Sequence, residues 1–225
     1  MKAVALLAAA GQGERLQADV PKALLQLSGK PLLRYAMDAI DACLELQGVV
    51  VAAPADRWRE VVDLVKHSQK VIDVVEGGET RTGSIRKALE AVPTEFDIVA
   101  CHDVARPFAS PALFTAVLRA LDDADAAIPT LPVHDTVKRI DGSAVAETLP
   151  RDGLALAQTP QAFRREVLEA AHRAAALEGF EGTDDAALVE RAGYVVVVVP
   201  GELSNLKVTT ARDLTVAAAL ADLRG

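Results

Sequence analysis

Apolar, often β-branched runs recur along the chain at Ala3–Ala9, Gly48–Ala53, Val71–Val75, Asp97–Cys101, Ala126–Thr130 and Tyr194–Val199. Amphipathic stretches of helical length separate most of them. Continuous apolar runs of this kind suit strands buried on both faces, and their alternation with helices predicts an α/β fold. The expected architecture is a Rossmann-like, mostly parallel sheet with helices on both faces. Pro31–Leu46 reads as a helix with Leu33, Met37, Ile40 and Leu44 near one face. Ser110 and Pro111 supply an N-cap and a first-turn proline for a helix through Leu121. Trp58–Val65 and Arg164–Leu177 read as further helices.

The pattern breaks between residues 131 and 160. Val133, Thr136 and Val137 read as one strand, Asp141-Gly142 as a turn, and Ala144–Thr148 as its return. Such a hairpin is too small to bury a core of its own. It is expected to project as a β-hairpin arm and pack on something else, leaving one domain, 1–225, with 131–160 as its arm.

Composition narrows the partners. The chain has 225 residues, is 51% hydrophobic and carries a formal net charge of −8, so it can build one sizeable core and its overall field repels polyanions. No nucleic-acid or membrane partner is expected, and a polyanionic substrate needs a locally basic pocket. Cys43 and Cys101 belong to no C-x-x-C or zinc pattern and read as buried free thiols of a cytoplasmic protein. No apolar stretch approaches the ~20 residues that span a bilayer.

The richest chemistry lies in Ala8–Lys22, where a glycine loop directly follows an apolar run. Gly11 and Gly13 let the backbone approach a ligand so that N–H groups can cradle phosphate. Arg15 and Lys22 add charge-assisted contacts, and Pro21 fixes the backbone just before Lys22. A dinucleotide fingerprint fails because Leu16 stands at the third glycine position, and a P-loop fails because no Gly-Lys-Ser/Thr follows. Lys2 and the short apolar run imitate a secretory signal, yet a polar loop follows at once. For the Gly-x-Gly alone, an ordinary strand-to-helix turn stands as the alternative.

Four other segments lie at strand ends or helix starts, where ligands collect in open α/β sheets. Gly77-Gly78-Glu79-Thr80-Arg81-Thr82-Gly83-Ser84 opens a helix and suits a base, ribose or phosphate, or equally a plain helix start. In His102-Asp103-Val104-Ala105-Arg106-Pro107, Asp103 suits a magnesium ion that takes its other ligands from phosphate and water, and Arg106 offers a fork to a phosphate. A local Asp–Arg pair is the alternative. His102 reads as a structural histidine rather than a base. Asp135-Thr136-Val137-Lys138, Arg151 and Gln158-Thr159-Pro160-Gln161 sit at the roots of the arm and suit a sugar phosphate or a solvated hairpin. Thr183-Asp184-Asp185 and Ser204–Thr209 complete the set, with Thr183 readable as a helix cap and Lys207 as a solvated cation.

Taken together, and in this order from Ala8 to Thr209, these segments resemble the 2-C-methyl-D-erythritol 4-phosphate cytidylyltransferases of the non-mevalonate isoprenoid pathway. The resemblance implies transfer of CMP from CTP to 2-C-methyl-D-erythritol 4-phosphate with release of pyrophosphate. It implies that Ala9, Ala10, Gly11, Gly13, Gly78, Glu79, Ser84 and Ala105 bind the nucleotide. It makes Arg15, Lys22 and Lys207 catalytic, Asp103 the Mg²⁺ ligand, and Arg106, Thr136, Arg151, Thr183 and Lys207 the residues of the sugar-phosphate side. It further implies a homodimer whose arms complete each other's sites. Val104 stands where alanine is usual and Leu156 where tryptophan is frequent. A related acceptor such as ribitol 5-phosphate is the nearest competing reading, since pocket residues decide between the two.

Overall fold

The computed structural model describes residues 1–13 and 20–223. Its centre is an eight-stranded sheet. In chain order the main elements are β1 (Ala3–Ala8), α1 (Leu32–Ala42), β2 (Leu46–Ala53), α2 (Trp58–Val65), β3 (Val71–Glu76), α3 (Arg81–Glu90), β4 (Ile98–Asp103), α4 (Pro111–Arg119) and β5 (Ala126–Pro132). There follow β6 (Val137–Asp141), β7 (Ala144–Leu149), β8 (Ala155–Ala157), β9 (Gln161–Arg164), α5 (Arg165–Glu178), α6 (Asp185–Arg191), β10 (Val196–Pro200) and α7 (Ala211–Asp222).

The six strands expected from apolar runs are present, with ends shifted by a few residues at most. β4, β1, β2 and β3 lie side by side and parallel, and β10 runs parallel to β5. The departure is β9, a strand not expected from the sequence. It pairs antiparallel with both β4 and β5 and so joins the two groups, while β8 continues along the same edge of β5.

Side chains alternate across β1: Ala3, Ala5 and Leu7 enter a core under α1, α2, α4 and α7, and Val4 and Leu6 enter one under α3, α5 and α6. The helices bury stripes at helical spacing, such as Leu33, Met37 and Ile40 of α1 and Leu113, Phe114 and Val117 of α4, all in one core. Each such apolar side chain contributes roughly 1.5–3 kcal/mol by leaving water. Leu44 does not join them; α1 ends at Ala42 and leaves Leu44 88% exposed in the following turn. Thr183 is not the cap of α6 either. Asp184 takes that place, its Oδ1 accepting the Ala187 N–H at 2.9 Å, because the extended backbone at Asp184 aims its carboxylate at the helix start.

The arm is β6 and β7, paired antiparallel around the Asp141–Ala144 turn, with Gly142 at φ 56°. It is shorter than expected at both ends, since Leu131 and Pro132 belong to β5 and residues 155–157 to β8. Ile140 (70% exposed) and Val145 (61%) are register partners, and among the described residues the strand pair forms a two-stranded sheet of its own.

Candidate active site

β1 and β4 end together, Ala8 opposite Asp103, and a cleft of about 470 Å³ opens over the carboxyl ends of β1, β3 and β4. Three loops wall it. The first leaves β1 with Ala9 fully buried and its N–H on the Ala52 carbonyl at 3.0 Å. Ala10, Gly11 and Gly13 then line the cleft, and the Gly11 carbonyl accepts the Lys22 N–H at 3.1 Å, which brings Lys22 to the same wall.

The second loop leaves β3. A Cβ on Gly77 would lie 2.2 Å from the Ala10 Cβ, so only glycine lets the two loops meet there. Thr80 caps α3 by accepting the Gly83 N–H, and the buried Ser84 hydroxyl accepts from Gly78 N–H at 3.0 Å and donates to the Thr80 carbonyl at 2.8 Å. Ser84 thus folds the loop that presents Gly78 and Glu79 to the cleft. The third loop leaves β4 and contributes Asp103, Val104 and Ala105, with Lys207 arriving from the segment after β10.

Asp103 is the buried carboxylate of the cleft floor. Its Oδ1 meets Arg81 Nε at 2.8 Å and its Oδ2 meets Lys207 Nζ at 2.7 Å. Burial works to raise its pKa, but Arg81 and Lys207 outweigh that and hold it well below the usual carboxylate range. Arg81 also lies 2.8 Å from Asp185 Oδ2, and His172 Nε2 is 3.5 Å from Asp185 Oδ1. Asp185 is likewise depressed, against its burial, chiefly by Arg81. Among the described residues, the cations Lys22, Arg81 and Lys207 line the cleft beside the carboxylates Glu79 and Asp103.

A second chain of bonds fixes the Asp103 backbone. Its N–H donates to Thr159 Oγ1 at 3.1 Å, Thr159 Oγ1 lies 3.0 Å from His102 Nδ1, and His102 Nε2 lies 3.1 Å from the Arg106 carbonyl. A carbonyl only accepts, so Nε2 carries the proton and Nδ1 accepts from the Thr159 hydroxyl. Burial pushes the His102 pKa down to about 4, so the ring is neutral at pH 7 and serves as a structural link.

Other expected residues fall elsewhere. Arg106 is half-buried and spends its guanidinium on the carbonyls of Asn205 (2.8 Å) and Ala157 (3.1 Å). Thr136 and Arg151 are exposed on the arm and its root, Arg151 donating to the His134 carbonyl, and neither lines the cleft of its own chain. Thr183 is exposed and also outside the lining. Arg15 lies outside the described residues. The sequence reading assigned no role to Arg81, Asp185 or His172. Two residues carried a signal: Arg81 lay within a singled-out glycine segment, and Asp185 followed Asp184 at a helix start where one cap suffices.

Among the described residues, no group of three or more His, Cys, Asp or Glu is placed to hold a metal. Asp103 can still take part in binding a hard cation, since a lone carboxylate completed by phosphate oxygens and water is the usual manner of Mg²⁺. Lys207, whose side chain is 40% exposed, would then yield Oδ2.

Comparison with known proteins identifies the family of the chain. A family model described as IspD, 2-C-methyl-D-erythritol 4-phosphate cytidylyltransferase, matches residues 3–222. A protein of that name from Saccharopolyspora erythraea is 44% identical over 98% of this chain and 99% of its own. The crystal structure of the enzyme of that name from Thermus thermophilus superposes with a TM-score of 0.81 at 36% identity, over 99% of this chain and 100% of that one. A 4-diphosphocytidyl-2C-methyl-D-erythritol synthase from Anaerococcus prevotii gives a TM-score of 0.88 at 31% identity, over 98% and 96%. The family match over residues 3–222 and the near full-length similarity in sequence and fold show that the chain belongs to the 2-C-methyl-D-erythritol 4-phosphate cytidylyltransferase family.

Proposed function

We propose that this cleft carries out the family's reaction in the cytoplasm, transferring CMP from CTP to 2-C-methyl-D-erythritol 4-phosphate in isoprenoid precursor synthesis. The observation that carries the reading is the buried Asp103 carboxylate, held between Arg81 and Lys207 and facing the glycine loop that delivers Lys22. A phosphate oxygen of the acceptor attacks the α-phosphorus of CTP; the bond to the bridging oxygen breaks, and pyrophosphate leaves with that electron pair. The acceptor phosphate is already ionised near neutral pH, so the site needs placed charge rather than a general base. Lys22, Arg15 and Lys207 supply that charge. Asp103 would hold a magnesium ion, which would supply neutralisation of phosphate charge.

The sugar-phosphate side is assigned to Lys207, Thr183 and Arg106 of one protomer, with Thr136 and Arg151 brought by the arm of a second copy. The arm's exposed Ile140–Val145 pair supports a homodimer. The buried, unpaired Cys43 and Cys101 suit a reducing compartment. Pyrophosphate release from CTP across a panel of polyol phosphates tests the assignment. The methylerythritol phosphate is expected to turn over fastest, and faster release with ribitol 5-phosphate would overturn it.

A further inference from the structure

Lys207 reaches Asp103 from the irregular segment 201–208, and two buried amides hold that segment. Gln158 Nε2 donates to the carbonyls of Glu202 (2.9 Å) and Asn205 (3.2 Å), while its Oε1 accepts from Glu202 N–H (3.0 Å) and Asn205 Nδ2 (3.3 Å). Asn205, fully buried, also donates from Nδ2 to the Thr159 carbonyl at 2.9 Å. Gly201 makes room for this arrangement: a Cβ there would sit 2.6 Å from Gln158 Oε1 and 3.0 Å from the Thr130 carbonyl. The Val208 N–H on the Ala105 carbonyl at 2.8 Å closes the segment just past Lys207. The backbone partners have a fixed polarity, so a side chain that both donates and accepts is required at 158 and a donor to the Thr159 carbonyl at 205.

We propose that Gln158 and Asn205 are positioning residues for nucleotidyl transfer: their clamp sets the reach of Lys207 over Asp103 and hence the placement of its charge on the reacting phosphates. Gln158 directly follows β8, the strand returning from the arm, so the clamp also ties Lys207 to the arm's root. The inference rests on Lys207 serving the reaction as proposed above. Misplacing a charge by about 1 Å can cost on the order of 10²-fold in rate.

Two variants test it. Asn205→Asp keeps the size but turns an oxygen toward two acceptors, and Gln158→Met keeps the length without the bonds. Each is made in the parent and in a Lys207→Ala background, with melting temperature, CTP affinity by calorimetry and kcat recorded. The expected result is a folded protein with parental CTP affinity and kcat lowered on the order of 10²-fold, and little further loss in the Lys207→Ala background, because effects acting through one group do not add. Should Asn205→Asp fail to fold, Gln158→Met decides. Parental kcat in a folded clamp variant, or a full additive loss on Lys207→Ala, overturns the inference while leaving the site reading intact. Parental turnover by Lys207→Ala itself would overturn the role of Lys207, and the clamp's role with it.

Discussion

Arg81 Nε lies 2.8 Å from Asp103 Oδ1, and the same guanidinium meets Asp185 Oδ2 at 2.8 Å on its other side. One cation therefore compensates two buried carboxylates, one facing the cleft and one behind it. Replacing it, as in Arg81→Met, leaves both charges without that partner. The expected loss is about 3–5 kcal/mol of stability, read from urea denaturation at pH 7. A parental midpoint would show that the bridge contributes little to the fold.

His102, next to Asp103 in the chain, gives stability a pH dependence of known sign. The His102 pKa is lowered from 6.5 to about 4 by burial, so the unfolded chain binds the extra proton more readily. That stability is fully present above about pH 6.5 and is lost as pH falls toward 4. Linkage puts the loss at about 2 kcal/mol between pH 7 and pH 5. Asp103 and Asp185, also depressed, add their losses only once pH falls below the ordinary carboxylate range. Denaturation of His102→Gln should show a flatter slope between pH 7 and 5, and an unchanged slope would mean that His102 is not the group responsible.

Lys22→Ala is expected to fold normally and to lose transfer rate. Removing one donor from a developing phosphate charge costs roughly 3–4 kcal/mol, or 10²–10³-fold in kcat. Single-turnover kinetics with saturating CTP measure this directly, and an unchanged rate constant removes Lys22 from the chemistry.

Asp103→Asn keeps the shape but loses the charge that attracts a divalent cation. The magnesium concentration giving half-maximal rate should rise, and Mn²⁺ bound in the presence of CTP, followed by electron paramagnetic resonance, should fall. Overlaid titrations of variant and parent would rule Asp103 out as the ligand.

Neither Lys22→Ala nor Thr136→Glu should be active alone. If the arm serves the neighbouring protomer, subunit exchange creates one site with an intact Lys22 from one chain and an intact Thr136 from the other, and activity returns. Mixed dimers that form and stay inactive would confine each arm to its own chain.

The sequence made the parallel strands and the two glycine loops legible because burial on both faces and close backbone approach leave local marks. The walls of the cleft were legible for the same reason, with Asp103 at a strand end and Lys22 marked by Pro21 beyond the first glycine loop. The polar floor was not. Arg81 meets Asp185 across 104 positions of sequence, His172 meets Asp185 across 13, and Gln158 meets Asn205 across 47, and each alone reads as a helix start, a cap or a loop polar residue. β9 escaped notice because four residues beginning with a glutamine resemble a turn until their partners on both sides are known.

That strand has a consequence for how the protein comes into being. Among the described residues of the main sheet, β4 and β5 are joined through β9, which is made after the arm. On the ribosome the apolar edge of β4 stands open until residue 164 has emerged, and closing it requires contacts between distant parts of the chain, the kind that form slowly and invite misassociation. A product truncated at the arm would therefore be an open-edged sheet suited to chaperone capture or proteolysis rather than a smaller enzyme.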